Sequence, residues 1–183
     1  MKLKFSPSVA QIQKVSYAKE EENFLLDCGD GCSPYGCSEK VAQALKDVDI
    51  HDVSAYPHGF ALKDAIIRRW QAYVPLTYDM LYLHNSGMDA IACVNTIFAR
   101  PGAAVVGICP QFSDYLLSAR CHGFVYRPVY LKQEENFRLI PERVVAAIDD
   151  AVSLVYLDNP NNPTGQSVTL DSMRMILCLL YTS

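Results

Sequence analysis

Three short stretches of this chain carry residue types that could together hold a flat, anionic ligand. Ser86-Gly87-Met88 lies between an apolar run and the start of a helical stripe, where unpaired backbone N–H groups and the helix dipole favour a phosphate. Gly87 lets the backbone approach closely, and Ser86 adds a hydroxyl donor. Phe112, behind Pro110, could offer a flat apolar face to a ring, but taken alone it reads first as a core aromatic. Asn162 lies in the turn Asp158-Asn159-Pro160-Asn161-Asn162-Pro163-Thr164-Gly165 and has a side-chain N–H to give. Asparagine in a turn also bonds its own backbone, so none of these stretches is decisive alone.

The elements that must position them alternate along the chain. Phe24-Leu25-Leu26-Asp27 is a short extended run, with Gly29, Gly31, Pro34 and Gly36 marking the loop behind it. Ser38 caps a predicted helix through Val41, Leu45 and Val48. After the turn Tyr56-Pro57-His58-Gly59, apolar residues from Ala61 recur at helical spacing as far as Pro75. Met80–Leu83 reads as a strand, and Ala90 to Phe98 as a helix closed by Pro101-Gly102. The run from Ala103 to Cys109 has no polar face, which predicts a strand covered on both sides. A helix from Tyr115 to Gly123, a strand at 124–130, a helix at 141–148 and a strand at 152–157 follow. This alternation predicts an α/β fold with a largely parallel (mixed) sheet and helices on both faces. The Asp158–Gly165 turn then falls at the carboxyl end of a strand, where open α/β sheets bind ligands.

Composition excludes several classes. The chain is 50% hydrophobic with a formal net charge of -4, so it presents no basic footprint for nucleic acid or anionic membranes. No apolar stretch approaches the roughly 20 residues of a membrane span. Seven cysteines without an export signal predict reduced thiols and a cytoplasmic protein. Cys28, Cys32 and Cys37 lie close together, but their spacing does not match structural zinc and no histidine follows at a ligand interval, so no metal is expected. His51, His58, His84 and His122 read as surface or cap residues.

In combination these residues resemble the fold-type I, class I and II aminotransferases, which use pyridoxal 5'-phosphate. Asn159-Pro160-Asn161-Asn162-Pro163-Thr164-Gly165 resembles their Asn-Asn-Pro-Thr-Gly motif, and the likeness runs from about Leu26 to Leu177. Pro34-Tyr35-Gly36, Tyr56-Pro57 and Pro110-Gln111-Phe112-Ser113-Asp114-Tyr115 look most like the histidinol-phosphate aminotransferases and the related threonine-phosphate decarboxylases. The resemblance implies that Ser86, Gly87 and Met88 cup the cofactor phosphate and that Phe112 stacks on its ring. It implies that Asn162 donates to the phenolic oxygen, and that Tyr56 reaches the phosphate of a neighbouring subunit in a homodimer. A small-molecule amino donor and a 2-oxo acid would be the substrates. Ser86-Gly87-Met88-Asp89 departs from the usual Gly-Ser-Asp-Glu, and Gly31, Cys32 and Ser33 replace residues of a substrate loop.

The catalytic lysine, the acid at the pyridine nitrogen, a tyrosine and a carboxylate-binding arginine all fall beyond the Asn-Pro-Thr-Gly segment in that family. No catalytic residue is therefore assigned here, and the chain reads as an N-terminal fragment that by itself would not transaminate. Residues 1–50 read as an N-terminal segment and the start of a small domain, and 51–177 as part of the large cofactor domain. Residues 178–183 read as a non-native tail, because their back-translation matches a transposase adapter used in sequencing libraries. Competing readings are weaker. A dinucleotide-binding dehydrogenase needs a Gly-rich turn that opens a helix, which Gly29-Asp30-Gly31 does not supply. A non-catalytic aminotransferase-like regulator and a thiol enzyme built on Cys28 or Cys37 also fit less well.

Overall fold

The computed structural model describes residues 6–10, 12 and 33–182. The expected strand at Phe24–Asp27, the loop around Gly29 and Gly31, and Cys28 and Cys32 lie outside them. The chain divides into two compact units, one of residues 14–83 and one of residues 1–13 with 84–183.

The second of these is built on a three-stranded sheet, with β1 at Ala104–Cys109, β2 at Val125–Tyr130 and β3 at Val152–Tyr156, in the order β2-β1-β3. Both pairings are parallel, with Ala104 opposite Val125 and Gly107 opposite Tyr156, and a bulge falls between Ala104 and Val105 on the β3 side. The central strand must be apolar on both faces, and Val105, Val106 and Ile108 are 0–1% exposed. Strand alternation sends them to different layers. Val106 and Ile108 join Val129, Leu131, Leu139, Val144 and Ile176 in one cluster. Val105 joins Ala103, Tyr115, Ala119 and Phe124 in the other. Each fully buried aliphatic side chain contributes about 1.5–3 kcal/mol.

The helices of this unit are α1 (Pro7–Ala10), α5 (Gly87–Phe98), α6 (Ser113–Cys121), α7 (Pro141–Ala146) and α8 (Leu170–Thr182). Pro141 opens α7 at a first-turn position, where its missing N–H costs nothing. At the start of α8, the Thr169 hydroxyl accepts from Ser172 N–H at 3.2 Å. The two packed layers are α5 with α6 and α7 with α8, and buried Asn95 of α5 donates to Ser118 Oγ of α6 at 3.0 Å. The Ser8 hydroxyl of α1 donates to the Cys121 carbonyl at the end of α6.

The unit of residues 14–83 holds α2 (Glu39–Lys46), α3 (Ile50–Ser54) and α4 (Phe60–Trp70). Ser38 caps α2 by accepting from Val41 N–H, as its position in the sequence predicts, but the helix ends before Val48. Asp49 caps α3. The predicted strand at Met80–Leu83 does not form. Tyr78–Met80 makes a 3-10 turn, and the extended segment after it pairs with no strand among the described residues. A β-branched or aromatic run is a strand only where a neighbour supplies the ladder. The Tyr78 hydroxyl instead donates to Asp64. No helix among the described residues is long and apolar enough to cross a membrane.

Candidate functional site

Ser86 is the N-cap of α5, and its Oγ accepts from Asp89 N–H at 3.1 Å. That bond occupies the hydroxyl as an acceptor and leaves its own O–H to donate outward. The Asp89 carboxylate returns the contact one residue earlier, accepting from Asn85 N–H at 3.3 Å and meeting His84 Nδ1 at 3.3 Å. The helix has no carbonyl to offer the N–H groups of Gly87 and Met88. At Gly87 the space where a Cβ would stand has nothing within 4 Å. Backbone donors beside open space at the positive end of a 12-residue helix suit an anion.

Phe112 precedes α6 as its N-cap and is partly buried against the cluster of Ala103, Val105, Tyr115, Ala119 and Phe124. Ile91 of α5 packs against the same cluster. The helix that begins at the cup and the residue read as the ring support thus share one face of the sheet. Phe112 is accordingly both a packing residue and a site candidate.

The Asp158–Gly165 turn leaves the end of β3. The Asn162 side chain is exposed and has no protein partner among the described residues, while its backbone N–H donates to Asp158 Oδ2 at 2.8 Å. Its neighbour Asn161 turns inward and is 3% exposed. Asn161 Nδ2 donates to the Pro110 carbonyl at 3.0 Å and to the Asp158 carboxylate at 3.1 Å, and its Oδ1 accepts from the Thr164 N–H and hydroxyl. Sequence reasoning singled out Asn162 and missed Asn161. The available signal was the three-residue spacing from Asp158, which suits an Asx-type turn.

Behind Phe112 lies a polar group that residue types did not reveal. Tyr126 of β2 donates its hydroxyl to Gln111 Oε1 at 2.6 Å, and Gln111 Nε2 is buried with no partner among the described residues. Tyr115 and Tyr156 stack at 3.4 Å between centroids, 7° from parallel. Burial first, and then Cys109, Tyr115 and Asp158, raise Tyr126 above the usual tyrosine range, and burial followed by the charge of Asp158 raises Tyr156. Burial and then Tyr156 raise Tyr115. All three hydroxyls therefore stay protonated at neutral pH and can donate.

Of the remaining candidate, Tyr56 belongs to the unit of residues 14–83, where its ring is 84% exposed and lies 6.0 Å from that of His58. A surface cleft of about 280 Å³, lined by Arg138, Pro141 and Ser172 among others, contains none of the candidate residues.

The open cradle at Gly87, the unpartnered Asn162 amide and the orphaned Gln111 Nε2 fit a phosphate-bearing ring with an oxygen substituent. Pyridoxal phosphate has those features. Its phosphate would lie at Ser86, Gly87 and Met88, its ring at Phe112 and its phenolic oxygen toward Asn162.

Comparison with known proteins points the same way. Residues 25–181 match the family model described as aminotransferase class I and II. A histidinol-phosphate aminotransferase of Methanopyrus kandleri is 33% identical over 180 residues, covering 91% of this chain and 46% of the relative. One from Anoxybacillus flavithermus is 31% identical over 147 residues, covering 79% and 38%. A Thermus thermophilus aspartate aminotransferase variant shares the fold, with a TM-score of 0.76 and 21% identity over 98% of this chain and 48% of its own. The chain thus spans less than half the length of these relatives. By the family match and these identities, the chain belongs to the aminotransferase class I and II family.

Proposed function

We propose that the whole protein transfers an amino group from an amino donor to a 2-oxo acid with pyridoxal phosphate, and that its donor is histidinol phosphate or a close amino-phosphate. What supports this reading is that the loop holding Phe112 and the turn holding the unpartnered Asn162 amide are tied by the Asn161–Pro110 bond, while α5, which opens with free N–H donors, packs on the same cluster as Phe112. When bound, the cofactor supplies an electron sink for the substrate's α-carbon. The residues described here bind and orient it: the first turn of α5 neutralises the phosphate, Phe112 fixes the plane of the ring, and Asn162 sets its rotation. The names of the M. kandleri and A. flavithermus relatives support the amino-phosphate donor.

Calorimetric titration with pyridoxal phosphate tests the reading. Asn162→Ala is expected to weaken binding about ten-fold, the worth of one hydrogen bond to a charged oxygen. Its melting temperature should not move, because the side chain holds no protein group. Unchanged affinity would remove Asn162 from the site. With the whole protein, turnover of histidinol phosphate against unphosphorylated histidinol tests the donor class.

A homodimer forms part of the proposal. Among described residues 33–83 none is buried, and Tyr56, Phe60 and Trp70 are 84%, 61% and 51% exposed. Apolar surface on that scale supports a covering partner. Sedimentation equilibrium of the whole protein should give twice the chain mass, and a monomer at micromolar concentration would contradict it.

A further inference from the structure

We infer that Asn161 is a positioning residue for the ring site: it holds the loop that presents Phe112 at a fixed setting against the loop that presents Asn162. The inference rests on the reading of those two loops as the ring site.

Every polar group of Asn161 has a partner. Its backbone N–H donates to the Gln166 carbonyl at 2.8 Å, and its carbonyl accepts from Gly165 N–H at 2.7 Å. These bonds, with the Thr164 contacts to Oδ1, close the turn on itself. The Nδ2 group does something different. One of its bonds runs to the Asp158 carboxylate within the turn, and the other reaches the Pro110 carbonyl, 51 residues away in sequence and two residues before Phe112. A turn that needed only internal closure would have no use for that second bond. Asp158 completes the link, because the same carboxylate also accepts from Asn162 N–H at 2.8 Å. The setting of Asn162 and the setting of Pro110 are thereby referred to one buried amide.

The chemistry also explains the residue type. The position needs two donated hydrogens and an acceptor on one short planar group. Aspartate keeps the acceptor and loses both donations, and it would set a second carboxylate beside Asp158. Glutamine has the groups on a longer stem in a site that is 3% exposed. Leucine has the size but would leave the Pro110 carbonyl and the Thr164 donors without their partner.

Hydrogen exchange on the full 183-residue chain separates this role from plain turn stability. Asn161→Ala should speed amide exchange at least ten-fold in both 111–115 and 158–166, relative to the β1 segment 104–108, which reports global opening. Thr164→Val removes the hydroxyl contact and keeps the bond to Pro110, so it should speed 158–166 alone. Asn161→Asp, which preserves size, should reproduce the two-segment pattern if the alanine variant does not fold. Calorimetric affinity for pyridoxal phosphate should fall about ten-fold in either Asn161 variant at equal folded fraction. Unaltered exchange at 111–115 in both Asn161 variants would overturn the inference. If the parent chain binds no pyridoxal phosphate, the functional reading fails, and the two-segment exchange pattern still decides whether Asn161 ties the loops.

Discussion

Gly107→Ala is expected to destabilise the protein by about 1–3 kcal/mol and to weaken cofactor binding in the same step. A Cβ built on Gly107 would lie 2.5 Å from Gln111 Oε1, 2.6 Å from the Tyr126 hydroxyl and 2.9 Å from its ring. The Gln111 end is flexible and can swing away, but it then abandons the 2.6 Å bond from Tyr126 and leaves that hydroxyl only its longer, 3.4 Å bond to the Ile108 carbonyl. The Tyr126 ring has less freedom, since it packs against the cluster of Val105, Tyr115 and Phe124. Relief of strand entropy on replacing glycine opposes this by roughly 0.5–1 kcal/mol, too little to win. Because Gln111 adjoins Phe112, any escape route moves the ring site. Thermal melts and calorimetric titration should both shift. Adding Tyr126→Phe, which removes the closest hydroxyl, should recover part of the loss. A stable Gly107→Ala variant with unchanged affinity would show that the Gln111–Tyr126 pair is not held in place by the missing side chain.

That case marks where the sequence was and was not informative. The layer order was legible because the run from Ala103 to Cys109 offers no polar face, and both faces are covered by packed clusters. The start of α5 was legible because its cap is encoded within four residues, Ser86 to Asp89. Met80–Leu83 misled, since a strand requires a neighbour and none of the described residues provides one. The choice between Asn161 and Asn162 was illegible for a different reason. The two are the same residue type in adjacent positions, and the one that turns inward is selected by a carbonyl 51 residues away. The partnership of Gln111 with Tyr126 depends in the same way on the register of β2 against β1, which residue types do not fix.

Ile108→Ala should show the opposite pattern from its neighbour one residue earlier. Ile108 is 1% exposed and lies on the other face of β1, among Val129, Leu131, Val144 and Ile176. Truncation removes buried methyl groups and leaves a cavity between the sheet and the α7–α8 layer, at a cost of about 2–5 kcal/mol. That is a large part of the 5–15 kcal/mol that stabilises an ordinary domain, so denaturant midpoints should fall clearly. Yet Ile108 belongs to the cluster that does not include Phe112, and strand alternation puts Phe112 and the Tyr126 ring in the other one. At equal folded fraction its affinity for pyridoxal phosphate should therefore match the parent within two-fold, on the order of 0.4 kcal/mol. The lower folded fraction must be measured and divided out, because apparent affinity falls with the population competent to bind. An intrinsic loss as large as that of Gly107→Ala would mean that the two faces of this three-stranded sheet are mechanically coupled. The site would then depend on the whole core, and the division of labour between Ile108 and Gly107 would not hold.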